Sequence, residues 1–168
     1  MTATKLTPPQ EFWRDHVLPN CEEYRKHPNS MRHAMNAALS AFHMADWVWT
    51  TYHEADPQKV AGAQHTLDYC RHLANTGYPD FLVLKDIAEA HKHLELDRPT
   101  PYVRAVTSAG DTGLGSFGAV TRLGPFGGPM AAPKRLVVQQ QDGRKRSFDE
   151  VIENVIQMWE ELIGSEGL

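Results

Sequence analysis

A mainly α fold is predicted: a four- to five-helix bundle with a small C-terminal β-hairpin insertion and a closing C-terminal helix. Three observations predict it. Apolar residues recur at three- and four-residue intervals through the longer stretches. Prolines and cap residues punctuate the region before residue 99 at helix-length intervals. Beyond it, glycine and proline become dense, ahead of one Asp-Gly turn and a last amphipathic stretch. A chain of 168 residues suits one domain with a full core. Its parts are a helical bundle over 10–98, a Gly-rich loop and β-hairpin over 99–147, and a closing helix over 148–164.

Pro8-Pro9 opens the ordered part, and 10–18 reads as a short helix anchored by Phe12, Trp13 and Val17. Pro19 breaks or kinks it, and Asn20 can cap a second short piece through His27. Pro28 ends that piece. Asn29 or Ser30 caps the longest helix, to about Glu54, with Met35, Ala38, Phe42, Ala45 and Trp49 on one face. Ala34, Ala37, Ala38, Ser40 and Ala41 are small, so a neighbouring helix can come close. Asp56-Pro57 starts the next helix, which runs to about Asn75 and closes at Thr76-Gly77. Pro79 opens the helix that carries Ile87 and His91 and stops before Pro99.

The character then changes. Residues 102–107 alternate like a short strand, and 108–133 hold seven glycines and three prolines, a loop composition. A strand over 134–141 meets Asp142-Gly143, a hairpin turn signal, and 144–147 returns. Ser147 or Asp149 caps the final helix, whose buried stripe is Val151, Val155, Met158, Trp159 and Leu162.

Lysine plus arginine number 17 against 21 acidic residues, a net charge of −4 with histidine neutral. That balance argues against nucleic-acid binding driven by overall charge, though not against a local basic patch. Two cysteines, Cys21 and Cys70, are too few for a disulfide scaffold and read as reduced thiols. The first residues lack the apolar run of a signal peptide. No stretch approaches the roughly 20 apolar residues that span a membrane. A cytoplasmic location without membrane contact is expected.

Four separated motifs carry a resemblance. His43-Met-Ala-Asp46-Trp47 lies in the long helix, and Asp86-Ile-Ala-Glu-Ala-His-Lys-His93 in a later one. A Gly/Phe-rich segment over 113–128 and an Asp-Gly turn follow, and Trp159 sits in the last helix. In this order, over about 29–163, they resemble a group of uncharacterised bacterial helical proteins. One departure is His91, at a position often small or polar in those relatives, which leaves Lys92-His93 as the shared pair. The helical plan also loosely resembles HEPN domains, helical toxin and defence ribonucleases that use an Arg followed four to six residues later by His. Arg25, Arg32 and Arg71 lack a histidine at that spacing, which weakens the catalytic implication.

Two constellations carry chemistry. His33, Asn36, Ser40 and His43 are spaced 3-4-3 on one helix face, with Asp46 three beyond His43. His65, Asp68 and His72 repeat the idea on the next helix. Facing inward, His43, Asp46, His65, Asp68 and His72 would hold a divalent metal with N and O ligands; facing outward, they are solvated helix faces. The Glu-x-x-His pattern of di-iron bundles is absent. The second constellation is Lys92, His93, Arg98 and Glu89. Lys92 and Arg98 would hold a phosphodiester, His93 would act as acid or base, and Glu89, four residues before it, would orient it. Capping of a helix C-terminus also explains Lys92 and His93. His91 lines up with Leu84, Ile87 and Ala88 and reads as a core histidine.

Two further motifs are weighed. Gly113-Leu-Gly-Ser-Phe-Gly-Ala-Val120 matches the kinase glycine loop, but no catalytic loop follows and no dinucleotide-fold helix opens after it. Lys134, Arg135, Arg144, Lys145 and Arg146 make the 134–146 hairpin basic, which protects an edge strand or contacts nucleic acid or an acidic partner. The reading favoured is a non-enzymatic interaction or defence-accessory protein with a protein partner or self-association through small-residue faces. The competing readings are a HEPN-like ribonuclease or other phosphodiester-handling enzyme using His93, Lys92 and Arg98, and a divalent-metal-binding protein.

Overall fold

The structure, a computed structural model, describes residues 8–92, 103–108 and 136–168; the side chains of 90–92 and 103–108 are outside that description. It is mainly helical, as predicted. The helices are α1 (Pro9–Phe12), α2 (Leu18–Lys26), α3 (Met31–Tyr52), α4 (Thr66–Asn75), α5 (Asp80–Lys92) and α6 (Phe148–Glu166). Three strands, β1 (Val103–Ser108), β2 (Leu136–Gln140) and β3 (Lys145–Ser147), form an antiparallel sheet in the order β1-β2-β3. Among the described residues, no helix is long and apolar enough to cross a membrane.

Pro19 does not break its helix. A π-helical turn, Trp13–Val17, joins α1 to α2, and Pro19 lies in the first turn of α2. Proline has no N–H for the carbonyl one turn back, and the wider π turn absorbs that mismatch while keeping Trp13 and Val17 buried.

The helix expected from Asp56 to Asn75 is two elements. Pro57–Val60 is one 3-10 turn, Ala61 and Gly62 take φ values of 53° and 66°, and α4 begins only at Thr66. The left-handed pair stops the helix. Trp49 holds the break in place, its indole N–H donating to the Ala63 carbonyl at 3.0 Å.

α3 is the central helix and packs against α2, α4, α5 and α6. Ser30 caps it, accepting from the His33 N–H at 3.4 Å. Its small face lets the neighbours close in: Ala34, Ala37, Ala38, Ala41 and Ala45 are fully buried within this one chain. Those residues serve the chain's own packing. Ser40, expected on a polar stripe, is buried as well and donates back to the Asn36 and Ala37 carbonyls at 2.9 and 3.1 Å. Trp159 of α6 lies over α3, donating its indole N–H to the Ala41 carbonyl at 2.9 Å and meeting Phe81 edge to face.

Asp142 and Gly143 make the β2–β3 turn, Gly143 with φ 84° and Asp142 accepting the Arg144 N–H at 3.0 Å. Ser147 caps α6, accepting from the Asp149 N–H at 3.2 Å. Leu136 and Val138 of β2 join Phe148, Val151, Ile152 and Val155 in the core, so the sheet closes over α5 and α6.

Candidate functional site

The expected metal residues separate. On α3, His43 and Asp46 form a half-buried pair, Nδ1 to Oδ2 at 2.9 Å. On α4, Asp68 accepts from Arg71 at 3.2 Å, while His65 and His72 are exposed. Among the described residues, the group of three whose ligand atoms come together is a different one: Glu23, His27 and His33.

His93 and Arg98 of the phosphodiester constellation lie outside the described residues, and Lys92 closes α5 with its side chain outside them. Glu89 is described: it accepts from the buried Lys85 ammonium, one turn earlier. This pair and the His43–Asp46 pair share one corner. The charges of Asp46, Lys85 and Glu89 all reach the buried Cys70 thiol, where α3, α4 and α5 meet. Lys85 also lies over the Phe42 ring, 5.9 Å from its centroid. With Nδ1–H donating to Asp46, His43 would keep Nε2 as an acceptor, the arrangement of a general base. Cys70 is no nucleophile for it. Burial, with Asp46 adding, pushes that thiol up to about 12 from an ordinary 9.0, so it keeps its proton near neutrality.

Two arginines of the basic hairpin are engaged within the chain. Arg146 turns inward and forks onto Asp80, with one N–H bond to Oδ2 at 2.9 Å and a second to Oδ1. It also donates to Glu150 at 2.8 Å, and Asn154 completes the cluster by donating to Asp80 Oδ2 at 2.6 Å. Arg144 closes onto Asp142. Lys134 and Arg135 lie outside the described residues.

Two pockets flank α6, one on each side of a single bridge. Tyr78, in the α4–α5 turn, donates its hydroxyl to Glu161 at 3.0 Å. On one side, Tyr78, Phe81, Asn154, Val155, Met158 and Glu161 line a pocket of about 310 Å³. On the other, Lys59, Tyr69, His72, Tyr78, Leu162 and Glu166 line one of about 280 Å³. Tyr69 is 2 % exposed, and its hydroxyl has no hydrogen-bond partner among the described residues. Burial, and then the charge of Glu166, push that hydroxyl well above the usual phenol range.

The charge along α6 divides in two. The helix has six acidic residues and no lysine, arginine or histidine. In its first half, Asp149 accepts from the Tyr24 hydroxyl at 2.6 Å, Glu150 from Arg146, and Glu153 from both fork nitrogens of Arg25 at 2.8 and 2.7 Å. In its second half, Glu160, Glu161 and Glu166 are exposed and make no ion pair among the described residues. Sequence reasoning missed this face because the residues sit on the solvated side of an ordinary amphipathic stripe. The signal available was sign: the last two turns have acids and no base.

No protein family, curated protein or solved structure matches this chain.

Proposed function

We propose that this chain is a non-enzymatic binding module. Its partner is a basic segment of another protein, taken up on the acidic end of α6 and in the two pockets beside it. The observation that carries the reading is the placement of Glu160, Glu161 and Glu166, exposed and with no base beside them on the helix, in its last two turns. Glu166, in the last turn, opposes the helix dipole, where a purely structural role favours a base. Lys59 supplies one, donating to the Gly167 carbonyl at 2.9 Å. Glu160 feels the Arg25 charge without pairing to it and Glu161 accepts from Tyr78 and Gln157, so no carboxylate of the three has an ion-pair partner among the described residues, and a cationic partner would supply one.

The pockets add shape to the charge. Phe81, Val155 and Met158 offer an apolar anchor point on one side of the Tyr78–Glu161 bridge. On the other side, the exposed Glu166 carboxylate at the pocket rim can receive a lysine or arginine head. A segment with an apolar residue next to basic ones fits both. Nucleic acid has the wrong sign for this face, and two of the hairpin arginines that favoured it, Arg144 and Arg146, are engaged with Asp142, Asp80 and Glu150. The reading keeps the protein in the cytoplasm, where the buried thiols Cys21 and Cys70 stay reduced.

The test is fluorescence anisotropy with a labelled Lys/Arg/Leu peptide and an acidic control peptide. Binding should be confined to the basic peptide, weaken as salt rises, and drop at least about tenfold in a Glu160→Lys, Glu161→Lys, Glu166→Lys variant. Equal binding to the wild type and to this variant sinks the reading. So does cleavage of RNA by the purified protein that His93→Ala removes, which would favour the ribonuclease alternative.

A further inference from the structure

The turn between α2 and α3 gathers three side chains that the proposed function does not use. Glu23 and His27 are four residues apart at the end of α2 and share a face. Pro28, Asn29 and Ser30 turn the chain, and His33 lies in the first turn of α3. The turn is held at both ends: the Ser30 N–H donates to the His27 carbonyl at 2.9 Å, and Ser30 Oγ accepts from the His33 N–H. One ligand atom from each of Glu23, His27 and His33 lies within 4.8 Å of the other two. The two imidazoles meet edge to face with centroids 4.8 Å apart.

The neighbours of His33 dictate its tautomer. Nδ1 faces the Glu23 carbonyl oxygen at 3.3 Å, which can only accept. Nε2 faces the Arg32 guanidinium at 2.6 Å, which can only donate. A neutral ring with its hydrogen on Nδ1 and its lone pair on Nε2 satisfies both. That is the form a metal ligand takes, and a backbone carbonyl on the other ring nitrogen is the usual support for one. Glu23 supplies the charge. Its carboxylate accepts from the Lys26 ammonium at 2.7 Å.

We propose that Glu23, His27 and His33 form a binding site for a divalent transition-metal ion, with zinc the best chemical match. Two imidazoles and one carboxylate suit zinc and its neighbours, whereas magnesium and calcium prefer an all-oxygen shell. Three protein ligands leave a coordination position for water or for a partner's side chain. Arg32, an exposed side chain, occupies the Nε2 lone pair and swings away when the ion arrives. Arg32 and Lys26 place two positive charges beside a dication, so they weaken the site.

The site is tested by calorimetric titration of the tag-free chain with zinc chloride, alongside cobalt(II) followed by visible absorption. One zinc per chain is expected. His27→Ala and His33→Ala should each weaken binding more than about tenfold, with circular dichroism confirming the fold. Arg32→Ala should tighten binding, because it removes both a competitor for Nε2 and a positive charge. His65→Ala, outside the group, should leave it unchanged. No saturable zinc binding overturns the proposal, and so does binding that His27→Ala and His33→Ala leave intact.

Discussion

Arg146→Ala should separate a structural ion pair from a decorative one. Arg146 joins the hairpin to the bundle: it forks onto Asp80 at the start of α5 and reaches Glu150 on α6. The Asp80 side chain is 10 % exposed and that of Arg146 22 %. Breaking a fully buried pair costs about 3–5 kcal/mol, because the remaining charge is left in a poor solvent. Here Asn154 still donates to Asp80, and Asp80 borders the pocket beside Phe81, so water can reach it. The loss is therefore placed at about 2–3 kcal/mol, a fall in Tm of about 4–12 °C for a chain of this size. Urea unfolding followed by tryptophan fluorescence measures it, with Trp159 fully buried as reporter. Arg144→Ala is the control, since its pair with Asp142 lies in water at the hairpin tip. Asp80→Ala and the Asp80→Ala/Arg146→Ala double variant complete a cycle. The two single losses should exceed the double loss by more than about 1 kcal/mol. Equal effects of Arg146→Ala and Arg144→Ala, or strict additivity in the cycle, would refute the assignment.

Three more outcomes follow from burial. Ala41→Leu inserts volume where α3 meets Trp159, and should cost about 1–3 kcal/mol in urea without changing the slope of the transition. Burial pushes the Cys21 and Cys70 thiols up to about 12, against an ordinary 9.0. The folded state then keeps protons that the unfolded chain releases. This contribution to stability is complete below about pH 9 and is lost as pH climbs toward 12, so the urea midpoint should fall over that window. At pH 8 a thiol reagent should leave both cysteines of the native protein unmodified and label both in denaturant; rapid labelling of the native protein would contradict their burial.

Much of the fold was legible because period and caps agree. In α3 the apolar spacing, Ser30 and the alanine run all point one way, as do Asp142-Gly143 and Ser147 for the turn and α6. Two departures share a cause. The Asp56-Pro57 start signal is real, but a 3-10 turn uses it as readily as an α-helix, and a left-handed Ala61 gives no warning in sequence. Pro19 likewise reads as a break or a kink, and the π turn before it is what lets the helix continue. The site was harder to read. His33 belongs by spacing to a stripe running down α3, yet its ring meets Glu23 and His27 on the previous helix. That meeting depends on a three-residue turn reversing the chain, which spacing along one helix cannot express. Conversely, Arg146 counted toward a basic edge by composition and is withdrawn by Asp80, 66 positions away in the chain.

The most direct test of the binding-module account is chemical-shift mapping on the isotope-labelled chain titrated with the basic Lys/Arg/Leu peptide. The account predicts saturable shifts clustered on Tyr78, Glu161, Leu162 and Glu166 and on the neighbouring pocket residues His72 and Met158. Shifts centred on the β2–β3 hairpin, or none that saturate, would contradict it.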